Sequence, residues 1–216
     1  MSGVIGTSLS VVTPATALPI DVDYARMHVK ALTNDEDTLI EGQIAAAAAY
    51  WEEQTGRAIL HTVYEYALDA FPASGRIVLP VAPLVSVDAL VYTDGDGNEA
   101  VFTDGGSPET ALWTSTKPAG LYAARGWVEP SPGQSWPTPR IQSGAVRITF
   151  TAGYAAYAVA VPALIQAQLL MLVGAMEQFR SEVHYSEGAR VDRVPMGILD
   201  LTAFKYAAQQ VLRSTP

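Results

Sequence analysis

The sequence predicts an α+β fold, in which helices from both ends of the chain form a small bundle and an antiparallel β-unit is inserted between them. Apolar residues recur at helical steps near the N-terminus, alternate with polar residues through the middle, and return to helical spacing from Pro162 and again over 196–212. The predicted segments are an N-terminal arm (1–19), a helix pair (20–56), the β-unit (57–153), a buried helix with its following loop (154–195) and a C-terminal segment (196–216).

Composition excludes several classes of protein. The chain has 216 residues, enough for one large domain or two small ones, and 49% of them are hydrophobic. Its net charge of −9 argues against a duplex-DNA binder, which needs clustered Lys and Arg. It has no cysteine, so disulfides and thiolate sites are excluded. The N-terminus lacks the basic start of a secretory signal. We therefore expect a soluble, acidic, intracellular protein.

The first 56 residues carry helix signals after a weakly patterned arm. Asp21 is placed to cap one helix, and the S/T-x-x-E spacing of Thr33–Glu36 predicts a capping box for the next. Gly56 is expected to end the second helix, because glycine readily adopts the left-handed conformation of a helix C-terminus. The buried face of that helix is predicted to contain Ile40, Ile44, Ala47, Ala48 and Trp51.

Residues 57–153 alternate apolar with polar side chains. Strands are predicted over 62–68, 85–91 and 146–150, and Asp94–Asn98 reads as a hairpin turn. The stretches 104–120 and 128–144 are rich in Gly and Pro and are predicted to be long loops.

No charged residue occurs from Ile148 to Met176, a length sufficient for a membrane span. Pro162 interrupts this run, and proline is favoured at the start of a helix but breaks its interior. The run is therefore predicted to be a strand end, a turn and a buried helix, and no membrane association is expected.

Metal sites are weakly supported by the residue patterns. Asp94, Asp96 and Asn98 open like a calcium loop, but Glu99 replaces the required Gly and Gly105 replaces the closing Glu. A hairpin turn is the preferred interpretation. His28, His61 and His184 lie on three different predicted elements, so surface or hydrogen-bonded histidines are favoured over a metal site. No metal and no cofactor is expected.

Catalytic patterns are equally weak. The stretch 133–137 lacks the second glycine of a nucleophile elbow, and the acids at 35–37 are explained by a helix N-terminus. The prediction is a non-enzyme. One alternative is a small-ligand or carbohydrate-binding β-module that uses tryptophans in or beside loops. Another is a hydrolase built on dispersed acids. The residues concerned are Trp113, Trp127 and Trp136 for the first, and Asp88, Asp94 and Glu99 for the second.

Four stretches in order resemble the head–tail connector (adaptor) proteins of tailed bacteriophages and phage-like gene transfer agents. IDVDYARMHVKALTNDEDTLIEGQIAAAAAYWEEQTGRAIL is similar to the opening helix pair, and RIVLPVAPLVSVDALVYTDGDGNE to the first strand pair. GQSWPTPRIQSGAVRITFTAGY is similar to the loop-to-strand signature, and VPMGILDLTAFK to the closing V-P-x-G-I-x-x-L motif. Together they span most of the chain from Ile20 to Lys205.

The resemblance implies a structural protein at the head–tail junction of a virion or gene transfer agent particle, assembled in the bacterial cytoplasm. Copies of the chain would form a ring, usually a dodecamer, beneath the portal protein. The ring would hold the stopper or tail-terminator proteins and leave a channel through which DNA passes without specific binding. The predicted portal-binding residues are Ile198, Leu201, Phe204, Lys205, Tyr206, Val211, Leu212 and Arg213. The predicted contacts with a neighbouring subunit or protein are Tyr50, Trp113, Trp127 and Trp136.

Overall fold

Three α-helices and two antiparallel sheets make up the described part of this computed structural model, which comprises residues 6–31, 33–102 and 112–178. The α+β class predicted from the sequence is confirmed. The helices are α1 (Val22–Val29), α2 (Asp37–Thr55) and α3 (Ala163–Gln178). The strands are β1 (Thr7–Thr13), β2 (Thr62–Leu68), β3 (Ile77–Val78), β4 (Leu84–Thr93), β5 (Glu99–Val101), β6 (Trp113–Thr116), β7 (Trp127–Pro130) and β8 (Val146–Ala152).

Helix α1 begins as its sequence predicts, whereas α2 does not. The Asp21 carboxylate accepts hydrogen bonds from the N–H groups of Asp23 (2.9 Å) and Tyr24 (3.3 Å). The capping box predicted at Thr33 is wrong, because its hydroxyl donates to Asp35 Oδ2 (3.0 Å) rather than capping a helix. A single 3-10 turn occupies 34–36, and it displaces the start of α2 to Asp37.

An ion pair joins the two N-terminal helices. Arg26 on α1 donates from Nε to Asp37 Oδ1 and from Nη2 to Asp37 Oδ2, both at 2.9 Å. Asp37 lies in the first turn of α2, where a carboxylate is favoured by the helix dipole. This forked contact therefore ties α1 to the first turn of α2.

The three helices pack on one another around a first hydrophobic core. Ile40, Ile44 and Trp51 of α2 are fully buried against α3 residues such as Ile165 and Leu169. The indole N–H of Trp51 donates to Gln168 Oε1 at 2.8 Å, inside the contact. The predicted buried face of α2 is confirmed, with Ala48 only partly buried, and α2 ends at Gly56 in the left-handed conformation (φ 66°).

The larger sheet has five strands in the order β1-β2-β8-β4-β5, with every neighbouring pair antiparallel. Its outermost strand, β1, comes from the segment predicted as an N-terminal arm. That segment is extended, but it pairs with β2 in register Thr7↔Leu68 through Val11↔Tyr64. The β-unit therefore takes one strand from outside the predicted range 57–153.

The smaller sheet has the order β3-β7-β6 and corrects the prediction of two long loops. β6 lies within 104–120, and β7 overlaps the start of 128–144. Each strand has four residues, too short for alternation to stand out among the surrounding Gly and Pro. Side chains of both sheets meet in a second core, which includes Leu79, Leu90, Val128, Ile148 and Phe150.

The uncharged run has the predicted strand–turn–helix structure. β8 ends at Ala152, a 3-10 turn spans Ala158–Ala160, and α3 begins at Ala163, directly after Pro162. Within the described ranges no helix combines the length and apolar character required to cross a membrane. The C-terminal helical pattern over 196–212, and its predicted part in the bundle, lie outside the described residues.

Candidate interaction surfaces

The aromatic residues predicted to contact a neighbour occupy different environments. Trp113 does not lie in a loop: it belongs to β6, its side chain is 6% exposed, and its indole N–H donates to the carbonyl of Phe102 at 2.6 Å. Tyr50, on α2, is half-buried beside the first core. Trp113 is thus a core residue of the second cluster, whereas Tyr50 keeps part of its surface open.

Trp127 and Trp136 use their ring faces inside the chain. Trp127 lies in β7 rather than in a loop, and the Arg76 guanidinium covers its ring at 4.5 Å from the centroid. Trp136 does lie in a loop, but it stacks on Phe71 with centroids 4.7 Å apart and donates to the carbonyl of Gly75 at 2.8 Å. The geometry therefore does not favour a sugar-stacking platform made of these tryptophans.

The acids weighed for hydrolysis each have a separate structural partner. Asp88 accepts from the hydroxyls of Ser86 (2.7 Å) and Thr151 (2.9 Å), and Glu99 pairs with Arg147. Asp94 accepts from the N–H groups of the β4–β5 turn, and the bond from Asn98 is the main cause that lowers the Asp94 pKa. A low pKa and an acceptor role in a turn are opposite to what a general acid requires.

Histidines and acids do not converge on a metal site in the described ranges. There, no group of three or more His, Asp or Glu side chains is arranged to hold an ion. His28 lies on α1 near Gly174 of α3, while His61 lies just before β2. His184 lies outside the described residues.

A buried arginine, which the sequence pattern did not single out, ties the loop before β7 to the helical core. Arg57 is 1% exposed, and its guanidinium donates to the Tyr154 hydroxyl (2.7 Å) and the carbonyl of Ala123 (2.6 Å). The Tyr154 hydroxyl in turn donates to the carbonyl of Leu121 at 2.5 Å. This chain of bonds gives Arg57 a structural role.

A pocket of about 370 Å³ opens between the segment after β1, the middle of α2 and the start of β2. Its wall is mostly apolar, but it contains one carboxylate, Glu52, and the ring of Tyr64. Glu52 Oε1 accepts from the N–H of Ile59 at 2.7 Å. Burial raises the pKa of Glu52, and the bond from Ile59 opposes that shift. Burial, followed by the charge of Glu52, raises the pKa of Tyr64.

Glu52→Gln should stabilise the isolated chain at neutral pH, by on the order of 1 kcal/mol or less. Since burial raises the folded-state pKa of Glu52, the folded chain binds this proton more tightly than the unfolded chain does. The contribution of the Glu52 carboxyl to stability therefore falls as the pH rises from its pKa in the unfolded chain to its higher pKa in the folded chain. Glutamine removes the buried charge but keeps an acceptor for Ile59.

Urea unfolding midpoints at pH 7 and pH 4 check this expectation, with Glu53→Gln as the matched control on the exposed side of the same turn. The increase in stability of Glu52→Gln over the parent chain should be present at pH 7 and smaller at pH 4. Glu53→Gln should show no such increase. A less stable Glu52→Gln chain at pH 7 would contradict the argument.

The basic side chains of three surface regions are already paired with acids. Arg26 contacts Asp37 and Asp23, Arg76 contacts Glu129, and Arg147 contacts Glu99. With 13 basic against 22 acidic residues in the whole chain, this pairing leaves an acid-rich surface. Such a surface repels a phosphate backbone.

Comparison with known proteins supplies the structural context. No protein-family model and no curated protein matches the chain. Among solved structures, a chain from the neck of an empty gene transfer agent particle, computed with C6 symmetry, is 24% identical, with a TM-score of 0.70 over 93% of this chain and 95% of that one.

Two further solved chains have a similar fold. One comes from the virion of a native gene transfer agent particle and is 24% identical, with a TM-score of 0.68 over 92% of this chain and 93% of that one. The other comes from the neck of a native particle computed with C12 symmetry and is 25% identical, with a TM-score of 0.62 over 93% and 94%. The resemblance indicated by the sequence motifs is confirmed: this chain has the fold of chains from gene transfer agent particles and their necks.

Proposed function

We propose that this chain is a structural head–tail connector, located at the head–tail junction of a phage or gene transfer agent particle and assembled in the bacterial cytoplasm. Copies of it form a ring under the portal protein, hold the stopper or tail-terminator proteins below, and leave a channel for DNA. The observation that carries the proposal is the match to neck chains over more than nine-tenths of both partners. Connector action requires shape and contacts rather than chemistry, so the proposed role is not enzymatic.

Two other observations support this function. The solved necks were computed with C6 and C12 symmetry, which fits a ring of repeated chains, and the C12 symmetry fits a dodecamer. The net charge of −9 suits the wall of a channel that must let DNA pass without retaining it. The proposed neighbour contacts within the described ranges are Tyr50, Trp127 and Trp136, because each of these residues is only partly buried.

The portal anchor is proposed to be the C-terminal segment. It contains Ile198, Leu201, Phe204, Lys205, Tyr206, Val211, Leu212 and Arg213, all outside the described residues. Apolar residues at helical spacing fit a groove on a partner, and repetition around a ring multiplies a weak contact into firm attachment.

Electron microscopy of purified chain mixed with its cognate portal rings tests the proposal. We expect a symmetric extra tier on the portal for the full chain, and its subunit count can be read from end-on views. A bare portal with the chain left monomeric would overturn the connector function.

Deletion of the residues after Gly197 tests the anchor. The shortened chain should keep its thermal transition, because both described cores lie before residue 179, but it should add no tier to the portal. Normal docking of the shortened chain would contradict the anchor while leaving the connector function intact.

A further inference from the structure

Strand β1 is an open edge of the five-stranded sheet. All seven of its residues are exposed. The N–H of Asp69 donates to the carbonyl of Gly6 (3.2 Å), one step before the pair Thr7↔Leu68. Because hydrogen-bonded and non-bonded pairs alternate in an antiparallel ladder, the backbone groups of Thr7, Leu9 and Val11 point away from β2. Within residues 6–31, 33–102 and 112–178, no strand pairs with this outer row of donors and acceptors.

The side chains of this edge continue an apolar sheet face. Leu9 lies opposite Tyr66 and Val11 opposite Tyr64, so each pair shares a face. Tyr64 stacks on Phe150 of the second core at 5.5 Å, which identifies this face as the inner one. Leu9 and Val11 are nevertheless 44% and 54% exposed. The inner face therefore extends beyond the part of the sheet that the chain itself covers.

The pocket beside Glu52 continues this surface at one end of β1. Val11 and Tyr64 belong to its wall as well as to the sheet. Within the described ranges Glu52 has the N–H of Ile59 as its partner and no cation paired with it. A half-buried carboxylate in an apolar wall is complementary to a Lys or Arg side chain, whose aliphatic stem suits the wall and whose charge suits the carboxylate.

We infer that β1 and the adjoining Glu52 pocket are the surface on which each copy of this chain receives its neighbour in the ring. An extended segment of the second copy adds to the outer edge of β1 through main-chain hydrogen bonds. Its apolar side chains cover Leu9 and Val11, and a basic side chain enters the pocket and pairs with Glu52.

A second copy is the favoured occupant for two reasons. A ring built from head-to-tail contacts needs two different surfaces on each subunit, and β1 forms one extreme edge of a sheet whose other edge is β5. In addition, β1 has neither the lysine nor the proline that commonly prevents edge pairing, which fits a strand paired in the assembly. This inference rests on the proposed ring. The experiments below distinguish a failure of this inference from a failure of the connector function.

Photo-crosslinking from position 11 identifies the occupant. The chain has no cysteine, so Val11→Cys creates a unique site for a benzophenone label. Isotopically heavy and light copies are mixed, bound to portal rings and irradiated, and the crosslinked peptides are assigned by mass spectrometry. We expect heavy–light crosslinks between two copies of this chain. Crosslinks to the portal, or only within one copy, would overturn the inference even when a ring is seen by microscopy.

Glu52→Gln gives a readout that a purely structural role would not produce. The isolated variant should be at least as stable as the parent, yet the concentration needed to fill the ring should rise about tenfold or more, because the partner's cation loses its carboxylate. Glu53→Gln should leave that concentration unchanged. An unchanged concentration for Glu52→Gln would contradict the inference. Heavy–light crosslinks in solution without any tier on the portal would leave the inference standing and overturn the connector function.

Discussion

Trp51→Ala should lower the free energy of unfolding by about 3–5 kcal/mol, enough to leave the helical half poorly folded. The Trp51 side chain is fully buried between α2 and α3 and lies edge-on to Tyr154, with ring centroids 6.3 Å apart. Alanine leaves a large cavity there. It also leaves Gln168, itself only 9% exposed, without the indole N–H that its oxygen accepts.

Urea unfolding followed by circular dichroism measures this loss, and Trp51→Phe separates its two causes. Phenylalanine keeps most of the ring volume but cannot donate to Gln168, so it should cost about 1–3 kcal/mol. Equal losses for the two variants would show that the hydrogen bond, rather than the packing, dominates. A loss below about 1 kcal/mol for Trp51→Ala would contradict the assignment of this residue to the core.

Gly153→Ala should be nearly as damaging, at roughly 3 kcal/mol or more. Gly153 has φ +144°, in a region that side-chain-bearing residues rarely adopt. A Cβ there would also collide with backbone, meeting the carbonyl group of Leu60 and lying 2.7 Å from the N of His61. Backbone cannot move aside as a flexible side chain can. The junction between β8 and the start of β2 would therefore have to separate.

Gly42→Ala is the matched control for this glycine. Gly42 lies on the exposed side of α2, and a Cβ there meets no atom within 4 Å. Alanine is the better helix former by about 0.5–1 kcal/mol, so this variant should raise the thermal midpoint. Opposite shifts for the two glycines would confirm the argument, and a tolerated Gly153→Ala would show that the strand junction is looser than its geometry indicates.

Local signals predicted the elements whose stabilising contacts lie nearby in sequence. Asp21 caps α1 through N–H groups two and three residues away, Gly56 ends α2, and Asp94 closes a hairpin within five residues. The order of these elements is also what carries the resemblance to head–tail connector proteins. Thr33 was the exception, because its hydroxyl donates to the Asp35 carboxylate and a 3-10 turn precedes α2.

Contacts between residues distant in sequence determined the environment of the tryptophans, which the local sequence pattern did not predict. Trp113 lies within one glycine- and proline-rich stretch predicted as a loop, and Trp127 lies directly before another. Short strands form there because they pair with each other and with β3, and their side chains pack against the larger sheet. The ring faces of Trp127 and Trp136 are used by Arg76, 51 positions earlier, and by Phe71, 65 positions earlier. The pattern of residues within either segment cannot predict a partner that is so distant in sequence.

The sequence by itself determined the α+β class, the helix pair with its buried face, the β4–β5 hairpin, and the strand–turn–helix nature of the uncharged run. Each depends on spacing, capping or turn chemistry within a few residues. Tertiary structure alone decided that Thr7–Thr13 form an edge strand, that Arg57 is buried and that Glu52 lines a pocket. These properties arise where distant segments meet, because burial and partner choice depend on the packing of the whole chain.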